Sequence, residues 1–452
     1  MVSASSRARG SRTRARLASA REALQARLWP VPALAVVVAV ALGVALSQLD
    51  LAIGTHFPSR MRTFVFDGDA DTARAVLGSI IGALITATSL TFSLTVVAFQ
   101  LASSQASPRL LRTFARDGFV HGTLAVFLGT FAYALTVLRA VRTDNLASID
   151  STFVPRIAIS FAFVLALVSV ITLVLFLAHL AAQLRVETML KEVHEDTVEA
   201  IEVVEGEIRD EESSQQRLDL PAWAPVVQAT RSGFISSVDR GRLLRTAARH
   251  DLRVEELHDV GGHVIEGLPL LRVQPEPSED AASDLVKAYS VRYERTSAQD
   301  YLFGVQQMVD IAAKALSPGV NDPTTAVHAL GHIASILVRL RDMPPTPPSL
   351  VDAEGVPRLA PRRADYASAV SASLTQIRRY GAGDLDTVVR LHHLLQEVAT
   401  EARPAEVRAA ITDELRLLTA SVEAEDYADV ERDRFRAMAQ EVRRRLAASG
   451  GA

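Results

Sequence analysis

The sequence predicts a mainly α membrane protein, in which a four-helix transmembrane domain precedes a cytosolic α+β region. Three observations predict this class. Four long windows without Asp, Glu, Lys or Arg lie within the first 185 of the 452 residues. Most charged residues follow those windows. The later part combines short β-branched segments between glycines with polar helices that repeat apolar residues at helical spacing.

Charge and cysteine content exclude several classes of site. The formal net charge is −4, which predicts no nucleic-acid partner. No cysteine is present, so disulfides, thiolate metal sites and cysteine nucleophiles are excluded. We expect no cofactor and no metal site.

The four windows are the predicted membrane spans. A bilayer core of about 30 Å needs roughly 20 helical residues. The spans cover about 28–49, 75–104, 118–138 and 157–184 within a transmembrane domain at 28–185, after a basic arm at 1–27. The first window follows arginines as a signal peptide does, but it is longer than a signal h-region and three more spans follow.

Cationic flanks predict the orientation. Arginines crowd the segment before the first span, and Arg109, Arg112 and Arg116 follow the second span. The first connection is mildly acidic. By the positive-inside rule both termini are cytoplasmic, in a bacterial cytoplasmic (inner) membrane.

The second span carries a stripe of small and hydroxylated residues. Spacings of three, four and seven place the following on one helical face: Ser79, Gly82, Thr86, Ser89, Ser93, Gln100 and Ser103. Thr88, Thr91 and Thr95 form an adjacent strip. Two explanations remain open. Small residues allow close helix packing, and hydroxyls facing water can line a pore around the axis of a homo-oligomer.

The uncharged stretch of the second span is also overlong. From Ala75 to Pro108 a continuous helix would extend about 50 Å, so its end is expected in the cytosol, with a break before Pro108. Arg109 and Arg112 then lie at the inner mouth. We expect these two arginines either to attract an anion at the inner mouth or to anchor to lipid headgroups. His121 and His179 lie inside span boundaries, as protonatable switches or as packed histidines.

The cytosolic part divides into three predicted segments. An acidic helix and linker cover 186–225, a small β-rich unit covers 226–275, and a helical domain covers 279–448. The segment GGHVIEGLPLLRV at 261–273 is typical of the closing hairpin of a barrel-like module. The proline-rich stretch 344–361 is expected to be a linker or an exposed loop.

One turn in the helical domain is a candidate anion-binding site. Ser317, Gly319, Asn321 and Asp322 belong to a turn in which Gly319 is expected to adopt positive φ and Asp322 to cap the next helix. A helix N-terminus can hold an anion, but the turn needs no ligand. Ser297 is expected to cap the preceding helix. His328 and His332 have metal-ligand spacing but are interpreted as structural.

Two segments carry a family resemblance. TSLTFSLTVVAFQLASSQASPRLL (88–111) and RTSAQDYLFGVQQMVDIAAKALSPGVNDPTTA (295–326) resemble the bacterial predicted membrane protein family catalogued as domain of unknown function 2254. The resemblance covers about 29–445 and implies the same order of parts. The family description implies no activity.

The leading functional hypothesis is an oligomeric ion channel or transport pore with a cytosolic regulatory domain. The alternative is a non-conducting scaffold or sensor that binds a cytosolic protein or small ligand. An enzyme ranks third, because the sequence has no P-loop, nucleophile elbow or HExxH motif. The expected partners are the lipid bilayer and further copies of the chain.

Overall fold

The computed structural model of the protein describes residues 29–53, 66–105, 117–142, 153–183, 185–402 and 404–450, with the backbone alone at 102–105. The chain divides into two compact units, Met1–Arg185 and Val186–Ala452, here called the membrane unit and the second unit. Each unit is described by itself.

The described residues of the membrane unit form four helices that are long and apolar enough to cross a membrane. They are α1 (Pro30–Ile53), α2 (Ala70–Gln105), α3 (Gly118–Ala140) and α4 (Arg156–Gln183). The prediction of a mainly α protein with four transmembrane helices is therefore confirmed. α2 starts before Ala75, because Asp69 accepts a hydrogen bond of 2.9 Å from the backbone N–H of Thr72 and so caps the helix.

α3 is the central helix of the membrane unit. Half of its most apolar window is buried, against 17% for each of the other three helices. It packs against α1, α2 and α4. Its contact with α1 is close, since a Cβ added to Gly43 would lie 3.1 Å from the Thr136 side chain. Small residues allow such an approach of two helices in lipid.

The second unit begins with α5 (Val186–Asp210). Met189, Leu190, Val193, Thr197 and Ile201 are among its buried residues, at spacings of three and four. This face packs against two later helices, and the acidic residues occupy the opposite face. α5 is thus amphipathic, unlike the spans that precede it.

Nine strands in the described residues of the second unit form two sheets. The strands are β1 (Ser213–Ser214), β2 (Val226–Gln228), β3 (Gly233–Val238), β4 (Arg253–Glu256), β5 (His263–Val264), β6 (Pro269–Gln274), β7 (Tyr289–Arg292), β8 (Ser349–Val351) and β9 (Pro357–Ala360). One sheet has the order β1-β8-β9-β4-β6-β2, and the other has the order β5-β3-β7. Only the β4–β9 pairing is parallel in these two sheets.

These sheets correct two expectations. The 261–273 segment is not a hairpin, because β5 pairs with β3 whereas β6 pairs with β2 and β4 in the other sheet. The two sheets form no closed barrel in the described residues. The 344–361 stretch is not a linker, because β8 and β9 pair there and β9 joins β4. Long-range pairing decided both points, and local composition does not report it.

The two sheets share one hydrophobic core with α6 (Arg240–Arg249) and α7 (Glu279–Val286). Leu350 and Leu359, from the β8–β9 hairpin, lie in this core together with Val254 and Leu271. The β-rich region therefore includes strands on both sides of the predicted 226–275 segment.

The rest of the second unit is helical. It comprises α8 (Tyr301–Ala315), α9 (Pro323–Asp342), α10 (Tyr366–Gly381), α11 (Leu385–Ala399), α12 (Ala405–Glu423) and α13 (Asp429–Gly450). Asp300, Asp322, Asp365 and Asp384 cap α8 to α11, each accepting a backbone N–H three residues later. The prediction that Ser297 caps α8 is therefore wrong, since Asp300 does so.

Candidate functional site

α2 has a packed face and an exposed face on opposite sides. The packed face comprises Ala73, Leu77, Leu84, Thr91, Thr95 and Ala98. At roughly 100° per residue, the predicted stripe lies about half a turn away. Its members with described side chains are all exposed: Ser79, Gly82, Thr86, Ser89, Ser93 and Gln100. The stripe therefore points away from the other described helices of the membrane unit. Ser103 lies in the helix, with its side chain outside the described residues.

The hydroxyls of this stripe are partly satisfied by their own helix. Ser79 donates to the carbonyl of Ala75 at 2.8 Å, and Thr86 donates to that of Gly82 at 3.1 Å. A Cβ added to Gly82 would meet no described atom within 4 Å. The stripe is therefore accessible to a neighbouring surface, and the exposed side chains of Leu90, Phe92 and Val96 lie beside it on α2.

The adjacent threonine strip turns inward. Thr91 and Thr95 are buried against the bundle, and Thr88 is half-buried. Thr95 donates to the Thr91 carbonyl at 2.8 Å. The Thr91 hydroxyl finds no hydrogen-bond partner among the described residues. The two strips on α2 thus have different surroundings, which the sequence pattern alone does not distinguish.

Asp50 links two helices of the membrane unit. Its carboxylate is buried and accepts the backbone N–H groups of Ile157 and Ala158, at 3.1 and 3.0 Å. These amides lie in the first turn of α4, where donors lack partners within the helix. The Tyr133 hydroxyl donates to the Ala158 carbonyl at 2.9 Å. Asp50 therefore fixes the start of α4 against α1.

A histidine–carboxylate pair joins α3 to α4 at the other end. Asp117 caps α3, and its Oδ2 lies 2.6 Å from Nε2 of His179. His121 is buried, and its Nε2 has no partner in the part of the chain described. The inner-mouth candidates Arg109 and Arg112 lie outside the described residues.

A buried ion network occupies the second unit. Arg240 donates to both oxygens of Glu256, at 2.9 and 3.0 Å, and these two side chains are 5% and 0% exposed. Its Nη2 also donates to the Arg362 carbonyl at 2.9 Å. Burial opposes the charge of Arg240, but the nearby carboxylates outweigh that effect and raise its pKa. Such a bidentate pair joins α6 to β4.

The same network reaches α5. Glu207 lies 3.5 Å from Nη1 of Arg240 and 3.8 Å from Nη2 of Arg363, and it accepts a hydrogen bond from Gln299. Arg363 also pairs with Glu211 at 2.6 Å. Burial raises the pKa of Glu207 despite both arginines. No local motif signals this network, because its members come from distant segments.

An open cleft of about 680 Å³ lies beside these groups. α5 and the β3–α6 connection line it, with Glu207, Asp210, Asp239 and Arg240 at its walls. Its size is within the range of small-molecule pockets. Glu207 and Arg240 of the ion network thus border the cleft directly.

The candidate anion-binding turn has a different geometry from the expected one. Asn321, not Gly319, adopts positive φ, at 50°. Asp322 caps α9, as predicted, accepting from the Thr325 hydroxyl at 2.6 Å and from its backbone N–H at 3.2 Å. Both bonds lower the Asp322 pKa. A carboxylate thus already occupies this helix N-terminus, and Ser317 donates to the carbonyl of Lys314.

Comparison with known proteins identifies the family. A family model described as "Predicted membrane protein", domain of unknown function 2254, matches residues 25–397. The chain belongs to this family. It is 30% identical over 416 residues to an uncharacterized protein of Mycobacterium bovis and to one of Mycobacterium tuberculosis, covering 90% of this chain and 78% of each relative. No solved structure matches. The predicted family resemblance is confirmed, and the protein is a membrane protein with four candidate spans.

Proposed function

We propose that this protein forms a homo-oligomeric pore, in which the exposed small-residue stripe of α2 faces the symmetry axis. One observation carries the proposal: the stripe is exposed on the membrane unit, opposite the packed face of α2. Lipid-facing surfaces have little use for Ser, Thr, Gly and Gln. These small and polar side chains are more favourably placed against a neighbouring copy or in contact with water in a pore.

The proposal includes an orientation. Both termini face the cytoplasm of a bacterial inner membrane, as the cationic flanks predict. The second unit then lies in the cytosol and regulates the pore. We assign no catalytic role to the chain.

The test combines flux with cross-linking. Purified protein in liposomes is assayed for small-anion and small-cation flux, beside Ser93→Leu. Ala41→Leu adds similar bulk at an exposed position of α1 and is the matched control. We expect Ser93→Leu to abolish flux and Ala41→Leu to preserve it.

Because the chain has no cysteine, single cysteines report contacts between copies. Ser89→Cys should form cross-linked dimers on oxidation, and Ala41→Cys should not. Folded protein without flux and without Ser89→Cys cross-links would refute the pore. Flux that survives Ser93→Leu would remove the stripe from the conduction path.

The cleft in the second unit favours a second candidate, a non-conducting sensor that binds a small ligand or protein. Its volume and mixed charged lining support ligand binding. Co-purification of a stoichiometric partner with folded, non-conducting protein would favour this candidate over the pore.

A further inference from the structure

Two histidines from different helices meet in the second unit. His194 of α5 and His332 of α9 have ring centroids 5.0 Å apart, with ring planes tilted by 58°. Both side chains are half-buried. Nδ1 of His194 is buried and has no hydrogen-bond partner among the described residues. The sequence spacing of His328 and His332 did not reveal this pair, because the partner ring comes from a distant helix.

The surroundings of the pair favour neutral rings. Burial lowers the pKa of His194, and Glu195 together with a hydrogen bond to the His332 backbone only partly offsets that effect. Burial also lowers the pKa of His332, and the neighbouring His194 and His328 lower it further. Neutral imidazoles can pack together, whereas two imidazolium ions at this distance repel each other.

Few charges face the pair from the helices around it. Glu195 is 63% exposed and lies 3.8 Å from Lys191 on its own helix. α8 crosses α5 at the close approach of Gly304 to Thr197. One turn further along α8 lie Gln307 and Met308, which are uncharged. On α9 the nearby titratable group is the exposed His328, a further cation when protonated.

Further along α5 and α9, ion pairs join the two helices instead of histidines. Arg339 of α9 lies 3.0 Å from Glu202 and 3.9 Å from Glu205 of α5. Carboxylates keep their charge well below neutral pH, at ordinary pKa values near 4. One end of the α5–α9 contact therefore carries neutral histidines, and the other end carries ion pairs that tolerate mild acid.

We propose that the His194–His332 pair is a proton-operated contact, which separates α5 from α9 at this end when the solution becomes mildly acidic. The Arg339 ion pairs act as the hinge. α5 is the first helix after the last membrane span in the chain, so its release changes the segment that directly follows α4. The ligand of this site is the proton. The proposal is independent of whether the protein conducts.

The direction in which pH changes the stability of the His194–His332 contact follows from the direction of the two pKa shifts. Both folded-state pKa values are lowered from the ordinary histidine value of 6.5. The stabilising contribution is therefore present above about pH 6.5 and is lost as the pH falls through the lowered values. Linkage to two protons limits the change in the open-to-closed ratio to about a hundredfold per pH unit.

The experiment measures the helix separation in the full chain. Spin labels at Glu199→Cys and Ser335→Cys, both exposed, report the α5–α9 distance by pulsed electron resonance in detergent micelles. We expect a longer-distance population to grow reversibly between pH 7.5 and pH 5.5. The double variant His194→Gln/His332→Gln should lose this growth. His263→Gln, an exposed histidine of β5, should keep it.

The single variants His194→Gln and His332→Gln provide a second test in case the double variant misfolds. With one ring left, the like-charge repulsion is gone, so opening should need a lower pH than in the wild type. The proposal is overturned if the distance ignores pH, or if the double and single variants respond as the wild type does.

Discussion

In the membrane unit the hydroxyls of α2 bond to carbonyls of their own helix, whereas in the second unit Arg240 and Glu256 bond across separate elements. The first arrangement is local and uncharged, and it leaves the exposed face free for any neighbour. The second is charged and buried, and it fixes the position of α6 against β4. The α2 hydroxyls are thus satisfied within one helix, as lipid demands, whereas the Arg240–Glu256 pair joins separate segments.

Breaking the charged arrangement should have the largest effect. Glu256→Ala leaves Arg240 buried with no bidentate partner, so we expect a loss of about 3–5 kcal/mol in the free energy of unfolding of the second unit. Denaturant unfolding in detergent, followed by hydrogen exchange in residues 240–256, measures it.

The matched control for Glu256→Ala is Glu202→Ala. Its partner Arg339 is 40% exposed, and such pairs contribute about 1 kcal/mol or less. Equal losses in the two variants would show that the buried pair has no special role.

In the membrane unit too, some polar groups join helices, and Asp50 joins α1 to α4. Asp50→Ala removes the acceptor from two backbone N–H groups of α4, so we expect a loss of about 2–3 kcal/mol. Thermal unfolding in micelles tests this loss. Ser47→Ala, at a buried hydroxyl without a described partner, should change stability by less. A larger effect at Ser47 would contradict the assigned role of Asp50.

Glycines occur on both the packed and the exposed surfaces of the membrane unit. Gly43→Ala places a methyl group 3.1 Å from Thr136, so we expect a loss of about 1–3 kcal/mol through overpacking. Gly78→Ala meets no described atom within 4 Å and should stabilise an isolated subunit by about 1 kcal/mol through helix propensity.

The two glycine variants also test the oligomer. If α2 packs against another copy, Gly78→Ala should weaken association, seen as a lower oligomer fraction on size-exclusion chromatography with light scattering. Unchanged association together with higher thermal stability would place Gly78 outside any interface between copies.

The smallest predicted effect concerns a local bond in the second unit. Asp322→Ala removes the cap of α9, and we expect a loss of about 1 kcal/mol near neutral pH. The Asp322 pKa is lowered from 3.8, so its contribution is present above that value and fades as the pH falls below it. Wild type and variant should therefore converge in acid, and a constant difference down to pH 2 would exclude this cause.

Much of the local structure was predictable from the residues. Runs without charged residues predict the four spans, because each span by itself must be apolar over the length needed to cross the bilayer. The cap at Asp322 was equally local. The sequence predicts a cap at Ser297 where the structure has one at Asp300, because both residues are good capping types and helix boundaries are uncertain by a few residues.

Pairing between distant segments could not be predicted in the same way. The sequence predicts a linker or an exposed loop where the β8–β9 hairpin forms, because its prolines and short strands carry a weak strand signal. The place of this hairpin beside β4 depends on a core formed by other segments. The ion network of Arg240, Glu207 and Arg363 could not be predicted either, because its members come from distant segments of the sequence. Each member alone resembles an ordinary surface charge.

The sequence by itself determined the four spans, the stripe along α2 and the family to which the chain belongs. Only the tertiary structure decided that the stripe faces outward while Thr91 and Thr95 face inward, and that His194 meets His332. The physical reason is that helical periodicity fixes which residues share a face, but packing against other elements decides where that face points.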